Sequence, residues 1–273
     1  MAKTIFITGA SRGFGKIWAE AFLKRGDNVV ATSRNVAGLQ DLADTYGAAF
    51  LPLALDITDR AQSVAVVQQA KNHFGTLDVV INNAGYGVFG AVEEISEQEA
   101  RDIIDANLLG TLWVTQAALP IFRAQGHGHI IQLSSILGVN TAQTLGIYSA
   151  TKFAVEGLSE ALYLEVKDLG IHVTLVEPNG FKTDFGGTSA VQSQPIAAYD
   201  KVKEALWAIP SFAPDNYGDP LATVPAILQL VNSQNPPLRL FLGRDAYPWA
   251  QQVYGERLAN WEAWQDVAVE AHG

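Results

Sequence analysis

The chain has 273 residues, 48% of them hydrophobic, and sets 18 Lys and Arg against 28 Asp and Glu for a formal net charge of −10 at pH 7. That length suits one α/β domain with a sizeable core, and the acidic balance argues against nucleic-acid or anionic-membrane partners, which clustered Lys and Arg would bind. The lack of cysteine excludes disulfides, thiol catalysis and thiolate metal sites; with no charged leader ahead of an apolar stretch and no run of about 18 apolar residues, a soluble, cytoplasmic protein is expected.

In chain order, the apolar run Lys3–Ile7 leads into Thr8-Gly9-Ala10-Ser11-Arg12-Gly13-Phe14-Gly15 and then a helical pattern of Ile17, Trp18, Ala21 and Phe22. This reads as strand, glycine turn and helix. Glycines let the backbone approach a ligand closely, and the free N–H groups and dipole of a helix start favour a diphosphate. The spacing is Gly-x-x-x-Gly-x-Gly, so the dinucleotide rule applies in mechanism and not in its usual pattern. Strands are predicted at 3–8, 28–32, 49–54, 77–82, 128–134, 171–177 and 238–242, separated by helix-period stretches. That alternation predicts a doubly wound α/β sheet of about seven parallel strands with helices on both faces.

Asn82-Asn83-Ala84-Gly85 closes the fourth strand, as ordinary turn chemistry also would. Ser96-Glu97-Gln98-Glu99 has capping-box form and opens a long helix holding Ile103, Ile104, Leu108 and Leu112. His127 and His129 alternate at a strand entrance with no third ligand in reach, so no metal is expected. Segment 185–220 gathers Gly186, Gly187, Ser189, four prolines including Pro210, and the aromatics Phe185, Tyr199, Trp207, Phe212 and Tyr217; such irregular insertions are often binding lids. Trp249, Tyr254, Trp261 and Trp264 recur at roughly helical spacing, as in a helix packed on the body or on another subunit.

Tyr148 and Lys152 stand four residues apart, one turn apart on a helix face, with Ser135 thirteen positions before the tyrosine. A fixed positive charge near a phenol lowers its pKa, and a serine hydroxyl adds a donor; together they outline a hydride-transfer apparatus. With the glycine loop, Asp56, Asn82-Asn83-Ala84-Gly85, Asn107 and the Pro178-Asn179-Gly180 turn, they make residues 3–184 resemble the classical short-chain dehydrogenase/reductase family.

The resemblance implies an NAD(P)-dependent oxidoreductase on a single Rossmann-type domain spanning 1–273, with the cofactor half at about 1–125 and the catalytic and substrate half at about 126–273. It implies a catalytic set of Asn107, Ser135, Tyr148 and Lys152, with Asn107 on a distorted helix linking the lysine to solvent through a water. The cofactor would meet Gly9, Ser11, Arg12, Gly13, Phe14, Gly15, Asp56, Ile57, Asn83, Ala84, Gly85, Tyr148, Lys152, Pro178, Gly180, Phe181 and Thr183. Asp56 would face the adenine, while Thr58 is an alternative cap of the next helix. NAD-specific members carry an acid after the second strand. Here the sequence is Ala31-Thr32-Ser33-Arg34-Asn35, and Arg34 with Arg12 can bind a 2′-phosphate, which points to NADP. Asn179 stands where the family commonly has glycine, and asparagine tolerates left-handed backbone. The substrate pocket is expected from Val88, Phe89, Ser135, Leu137, Val139, Leu145, Phe181 and Phe185, which suits a bulky apolar carbonyl or alcohol. A homodimer or homotetramer is expected through helices 98–124 and 146–168, whose second member carries Ala154, Leu158, Ala161, Leu162 and Leu164. The alternatives are a non-catalytic NADP-binding regulator and, disfavoured by the glycine spacing, a lyase or epimerase that recycles its nicotinamide.

Overall fold

All seven apolar runs form strands of one parallel sheet in the computed structural model, which describes residues 2–187, 190–209 and 212–273. In chain order these are β1 (Thr4–Ile7), β2 (Asn28–Ser33), β3 (Phe50–Ala54), β4 (Val79–Asn82), then β6 (Gly128–Leu133), β7 (Ile171–Pro178) and β9 (Arg239–Leu242). A separate two-stranded parallel ribbon pairs β5 (Val88–Phe89) with β8 (Val191–Gln192). The sheet order is β3-β2-β1-β4-β6-β7-β9. Alternate residues supply two cores, because a parallel sheet is covered on both faces. Ile5, Ile7, Val29 and Ile81 pack with Trp18 and Phe22 of α1 (Gly13–Arg25), Leu42 of α2 (Gln40–Tyr46) and Ile227 of α8 (Val224–Asn232). On the other face, Phe6, Val30, Val80 and Ile130 pack with Val67 of α3 (Arg60–Phe74), Phe122 of α5 (Gly110–Gln125) and Leu162 of α6 (Gly146–Val166).

The strand order reverses between β1 and β4, and in such sheets the crevice at the carboxyl ends of those strands is where ligands bind. Around it one local expectation is revised. Asp59, not Thr58, caps α3, accepting from the Gln62 amide at 3.0 Å, while the Thr58 hydroxyl donates to Asp56 at 2.8 Å. The capping box at Ser96 and Glu99 does open α4 (Glu97–Ile104). The helix is not uniform beyond it: residues Asp105–Leu109 form a π turn before α5 begins. Turns of this kind recur at functional sites, and Asn107 lies in this one.

Regular pieces occupy part of segment 185–220, including β8 and α7 (Asp200–Leu206); Ser189 and Pro210 lie outside the described residues. The Glu94 carboxylate fastens this segment to the body. Its side chain is wholly buried and accepts from the amides of Ala91 (2.7 Å) and Ile196 (2.6 Å) and from Lys203 Nζ (2.5 Å). The bond from Lys203 holds its carboxyl below the ordinary value.

At the C-terminus, α9 (Ala246–Ala263) buries Ala246 and Ala250, and Trp249 meets Phe212 edge to face at 6.2 Å. Packing on the body covers only this first part: Tyr254, Trp261 and Trp264 are exposed, and the chain ends in the exposed α10 (Gln265–Glu270). Among the described residues, no helix is long and apolar enough to cross a membrane.

Candidate active site

The glycine loop leaves β1 at Gly9, whose φ of 65° is left-handed and whose Cβ, were there one, would lie 2.8 Å from Ala84 Cα. A side chain at Gly15 would stand 2.6 Å from Asn83 Nδ2 and 2.7 Å from the Gly9 carbonyl. These contacts let α1 and the end of β4 close on the loop. Asn83 braces it, donating to the carbonyls of Thr8 (2.9 Å) and Gly9 (3.0 Å), while the Thr8 hydroxyl accepts from the Asn83 and Ala84 amides. Helix α1 starts with no side-chain cap, so its first N–H groups are left for a ligand.

A groove of about 640 Å3 follows the carboxyl ends of the strands. It is walled by Gly9, Ser11, Arg12, Gly13 and Phe14 of the loop, Ser33 and Arg34 after β2, Asp56 and Ile57 after β3, and Asn83, Ala84 and Gly85 after β4. Gly15 packs behind it. Arg12 and Arg34 are both exposed along its wall. Asp56 accepts from the Thr58 amide at 3.0 Å, a local turn that holds it at the groove edge.

A narrower cavity of about 130 Å3 opens beside the groove, lined by Ser135, Tyr148, Lys152, Pro178, Gly180 and Thr183 and by the apolar Phe89, Leu137, Phe181 and Phe185. Three residues expected here sit elsewhere: Leu145, Val88 and Val139 are buried in the core beneath the site and do not line it. Tyr86 and Ile136, not expected there, line it, as do Phe212 and Tyr217 of the segment read as a binding lid. Phe185 lies 5.0 Å from the Tyr148 ring and Phe181 5.3 Å from Phe14, so aromatic rings wall one side. Asn179 is not left-handed, since Thr144 (φ 61°) is the one non-glycine residue of positive φ among those described. The left-handed residue is Gly243 (φ 107°), where a Cβ would meet the Asn179 amide oxygen at 1.8 Å.

Tyr148 is buried, and loss of water pushes its hydroxyl pKa up, against a hydrogen bond with Ser135 that lowers it. Burial also pulls Lys152 down to about 8, countered by the charge of Glu156 one turn on. The expected depression of the tyrosine by Lys152 is not seen: Nζ stands 5.7 Å from the Tyr148 ring centre and donates instead to the Leu133 carbonyl at 2.7 Å. Asn107 Nδ2 donates to the Tyr86 carbonyl (2.9 Å) and to the Thr151 hydroxyl (3.2 Å), and its Oδ1 accepts from the Tyr86 amide (3.0 Å). A Cβ at Gly85 would come within 2.9 Å of Asn107 Oδ1 and 3.9 Å of Lys152 Nζ, so the glycine keeps that space open.

The short chain dehydrogenase family model matches residues 3–193. The chain belongs to the short-chain dehydrogenase family. It is an oxidoreductase by that membership, and its relatives agree: "Oxidoreductase BOA17" of Botryotinia fuckeliana is 38% identical over 273 residues, 98% of this chain and 99% of that one. A short-chain dehydrogenase from Streptomyces avermitilis superposes with a TM-score of 0.92 at 35% identity, covering 99% of this chain and 98% of that chain. ElxO with NADP bound matches at a TM-score of 0.77 and 28% identity, over 91% of this chain and 100% of that one. A matched 3-ketoacyl-(acyl-carrier-protein) reductase from Brucella melitensis is complexed with NADH. His127 and His129 belong to no metal cluster among the described residues: His127 pairs with Asp78 at 3.1 Å and His129 with the Thr174 hydroxyl at 3.0 Å.

Proposed function

We propose that this short-chain dehydrogenase is NADP-dependent and interconverts a bulky apolar carbonyl compound and its alcohol, with Tyr148 as general acid and base. The observation that carries the reading is the gathering of Tyr148, Ser135 and Lys152 in the lining of one apolar cavity continuous with the groove, with Asn107 behind them. The residues present fit a dinucleotide, because Gly9 and Gly15 let the loop close tightly on the end of β4 and the first amides of α1, at the groove wall, are uncapped. Ser11, Gly13, Phe14, Ala84, Thr183 and the edge formed by Asp56 and Ile57 would hold it. When bound, the nicotinamide supplies or accepts the hydride. In the reductive direction the buried Tyr148, kept as a neutral phenol, passes its proton to the carbonyl oxygen. Ser135 donates to the same oxygen, where negative charge grows, and so favours the transition state over the ground state. Lys152, close to half-protonated near pH 8, is placed to return a proton to the tyrosine, and Asn107 fixes the π turn beside it.

Arg12 and Arg34, with no acid after β2, support NADP over NAD. NADPH is expected to bind at least 10-fold more tightly than NADH, and Arg34→Asp to erase most of that gap; equal affinities in the wild-type protein on titration of both would sink the charge argument.

The rings and aliphatic groups of Phe89, Leu137, Phe181, Phe185 and Phe212 provide no cationic anchor. Burying apolar substrate surface there contributes about 25 cal/mol per Å2, whereas a carboxylate would lose its water with only Lys152, already bonded to the Leu133 carbonyl, as a cation in the lining. Aromatic or alicyclic ketones are expected to exceed keto acids in kcat/KM by 10-fold or more, and the reverse order would overturn the assignment. NADPH consumption against that panel also separates an enzyme from a regulator, which would give none. We further propose pairing of subunits through α5 and α6. On α6, Ala161 and Leu164 are exposed while Leu162 is committed to the subunit's own core.

A further inference from the structure

Behind the site lies a buried acidic pair that the chemistry proposed above does not use. Tyr148, Lys152 and Glu156 follow at intervals of four along α6, so they share a face, and none is more than 6% exposed. Glu177 of β7 meets this face with a fully buried side chain. Arg239 of β9 joins the two acids: its Nε is 3.0 Å from Glu156 Oε2 and 3.5 Å from Glu177 Oε1, while its Nη2 is 2.7 Å from Glu160 Oε2. The other Glu156 oxygen and both Glu177 oxygens are buried with no hydrogen-bond donor among the described residues. The pair also reaches the loop that carries Ser135. A Cβ on Gly138 would lie 3.0 Å from Glu156 Cγ and 2.5 Å from Ser134 Oγ, so the glycine is what lets Glu156 lie against that loop. Ser134 follows Leu133, whose carbonyl takes the Lys152 ammonium.

Two ionised carboxylates do not fit this space. An ionised carboxylate only accepts hydrogen bonds, and burying one without a donor is costly, whereas a single proton turns one of the two acids into a donor. Burial and the charge of Glu156 push the Glu177 carboxyl up, which makes Glu177 the acid that keeps the proton. The charges then balance: Glu156 and Glu160 against Arg239 leave one negative charge, set one turn from a lysine that burial pulls toward the neutral amine. Neighbouring elements do not supply that charge. Residues 136–142 include no titratable group. On α4 and the π turn, Glu97, Arg101, Asp102 and Asp105 are exposed and Glu99 is bonded to Ser96, and Arg257 of α9 is turned to the Val139 carbonyl.

We infer that Glu156 and Glu177 hold one proton between them, and that the single negative charge left on the pair keeps the Lys152 ammonium charged in a site stripped of water. Both are positioning residues that act through the lysine. The inference rests on the proposed role of Lys152 only where turnover is concerned.

Lysine protonation can be read without turnover, by 13C NMR of protein labelled at the lysine ε carbon. One resonance, absent in Lys152→Ala, is expected to titrate near pH 8. In Glu156→Gln its midpoint should fall by about one pH unit, the smaller end of what a nearby opposite charge contributes. Glu156→Asp, which keeps the charge, and Glu177→Gln, which replaces an acid already neutral, should hold it. The double variant E156Q/E177Q should shift at least as far as Glu156→Gln; because Arg239 keeps Glu160 there, it carries the test if the single variant fails to fold. The alkaline limb of kcat for NADPH-dependent reduction should move with the midpoint, since Tyr148, pushed up by burial, stays neutral over this range. An unmoved midpoint in both Glu156→Gln and the double variant would overturn the inference. So would a fall in Glu177→Gln as large as in Glu156→Gln, which would mean that both acids are ionised. A midpoint that moves while the kcat limb stays would uphold the pair and sink the role of the lysine in proton return.

Discussion

Tyr148→Phe is expected to lower kcat by ~10²–10⁴, the range that a positioned proton donor contributes, while NADPH affinity stays within about 2-fold. The substitution keeps the ring that packs 5.0 Å from Phe185 and removes only the hydroxyl, in a cavity that Ser135 also lines. Lys152→Ala should impair binding and turnover together, because its ammonium also anchors the Leu133 carbonyl at the end of β6. Stopped-flow rates with a reactive ketone, beside a fluorescence titration of NADPH, separate the two effects. Wild-type kcat in the phenylalanine variant would mean that the proton comes from another group.

Glu177→Gln is expected to raise stability increasingly as pH rises. Glu177 lies in β7 just before the Pro178-Asn179-Gly180 turn, with its side chain fully buried. Burial pushes its carboxyl well above the usual 4.5, and the neighbouring carboxylate of Glu156 adds to the rise. Arg239 opposes this from 3.5 Å, but it is already engaged by Glu156 Oε2 at 3.0 Å and Glu160 Oε2 at 2.7 Å. The folded protein therefore keeps a proton that the unfolded chain gives up above about 4.5. In that window the folded state binds more protons, so stability is greatest below it and falls with rising pH, by up to ~1.4 kcal/mol per pH unit for one proton. Glutamine is a neutral stand-in that cannot ionise, and the slope should flatten. Melting temperatures at pH 5, 7 and 9 should coincide at the acid end and diverge by several degrees at the alkaline end. Parallel curves for the two proteins would show that Glu177 ionises normally.

The sheet was legible because its strands are short apolar runs between glycine and polar turns, a pattern that burial on both faces imposes directly. The glycine loop and the trio Ser135, Tyr148 and Lys152 were legible for a similar reason: turn geometry and helical spacing tie sequence offsets to positions in space. Leu145, Val88 and Val139 were assigned to the cavity by family placement, yet each is buried in the core and none lines the cavity. Phe212 and Tyr217 could not be placed this way. The bridge between Phe181 and Gly218 brings that stretch back over the cavity, and such a return has no periodicity to announce it. The distortion at Asn107 was legible only through the family resemblance, because a π turn is a shift in backbone hydrogen-bond offset inside a continuous helix that leaves the hydrophobic pattern intact. The tyrosine pKa depends on how deeply the ring is buried, and spacing alone carries no measure of depth.

Glu94 holds the strap from β8 to α7 from below, through Ile196 and Lys203, at a point outside the aromatic cavity. Fastening and recognition are thus written in different residues. Phe212 and Tyr217 can be exchanged for smaller or more polar side chains without releasing the strap, so the family scaffold can drift toward new substrates while the latch stays shut. A change at Glu94 acts the other way, leaving every ring of the cavity wall chemically intact and loosening the frame that aligns them.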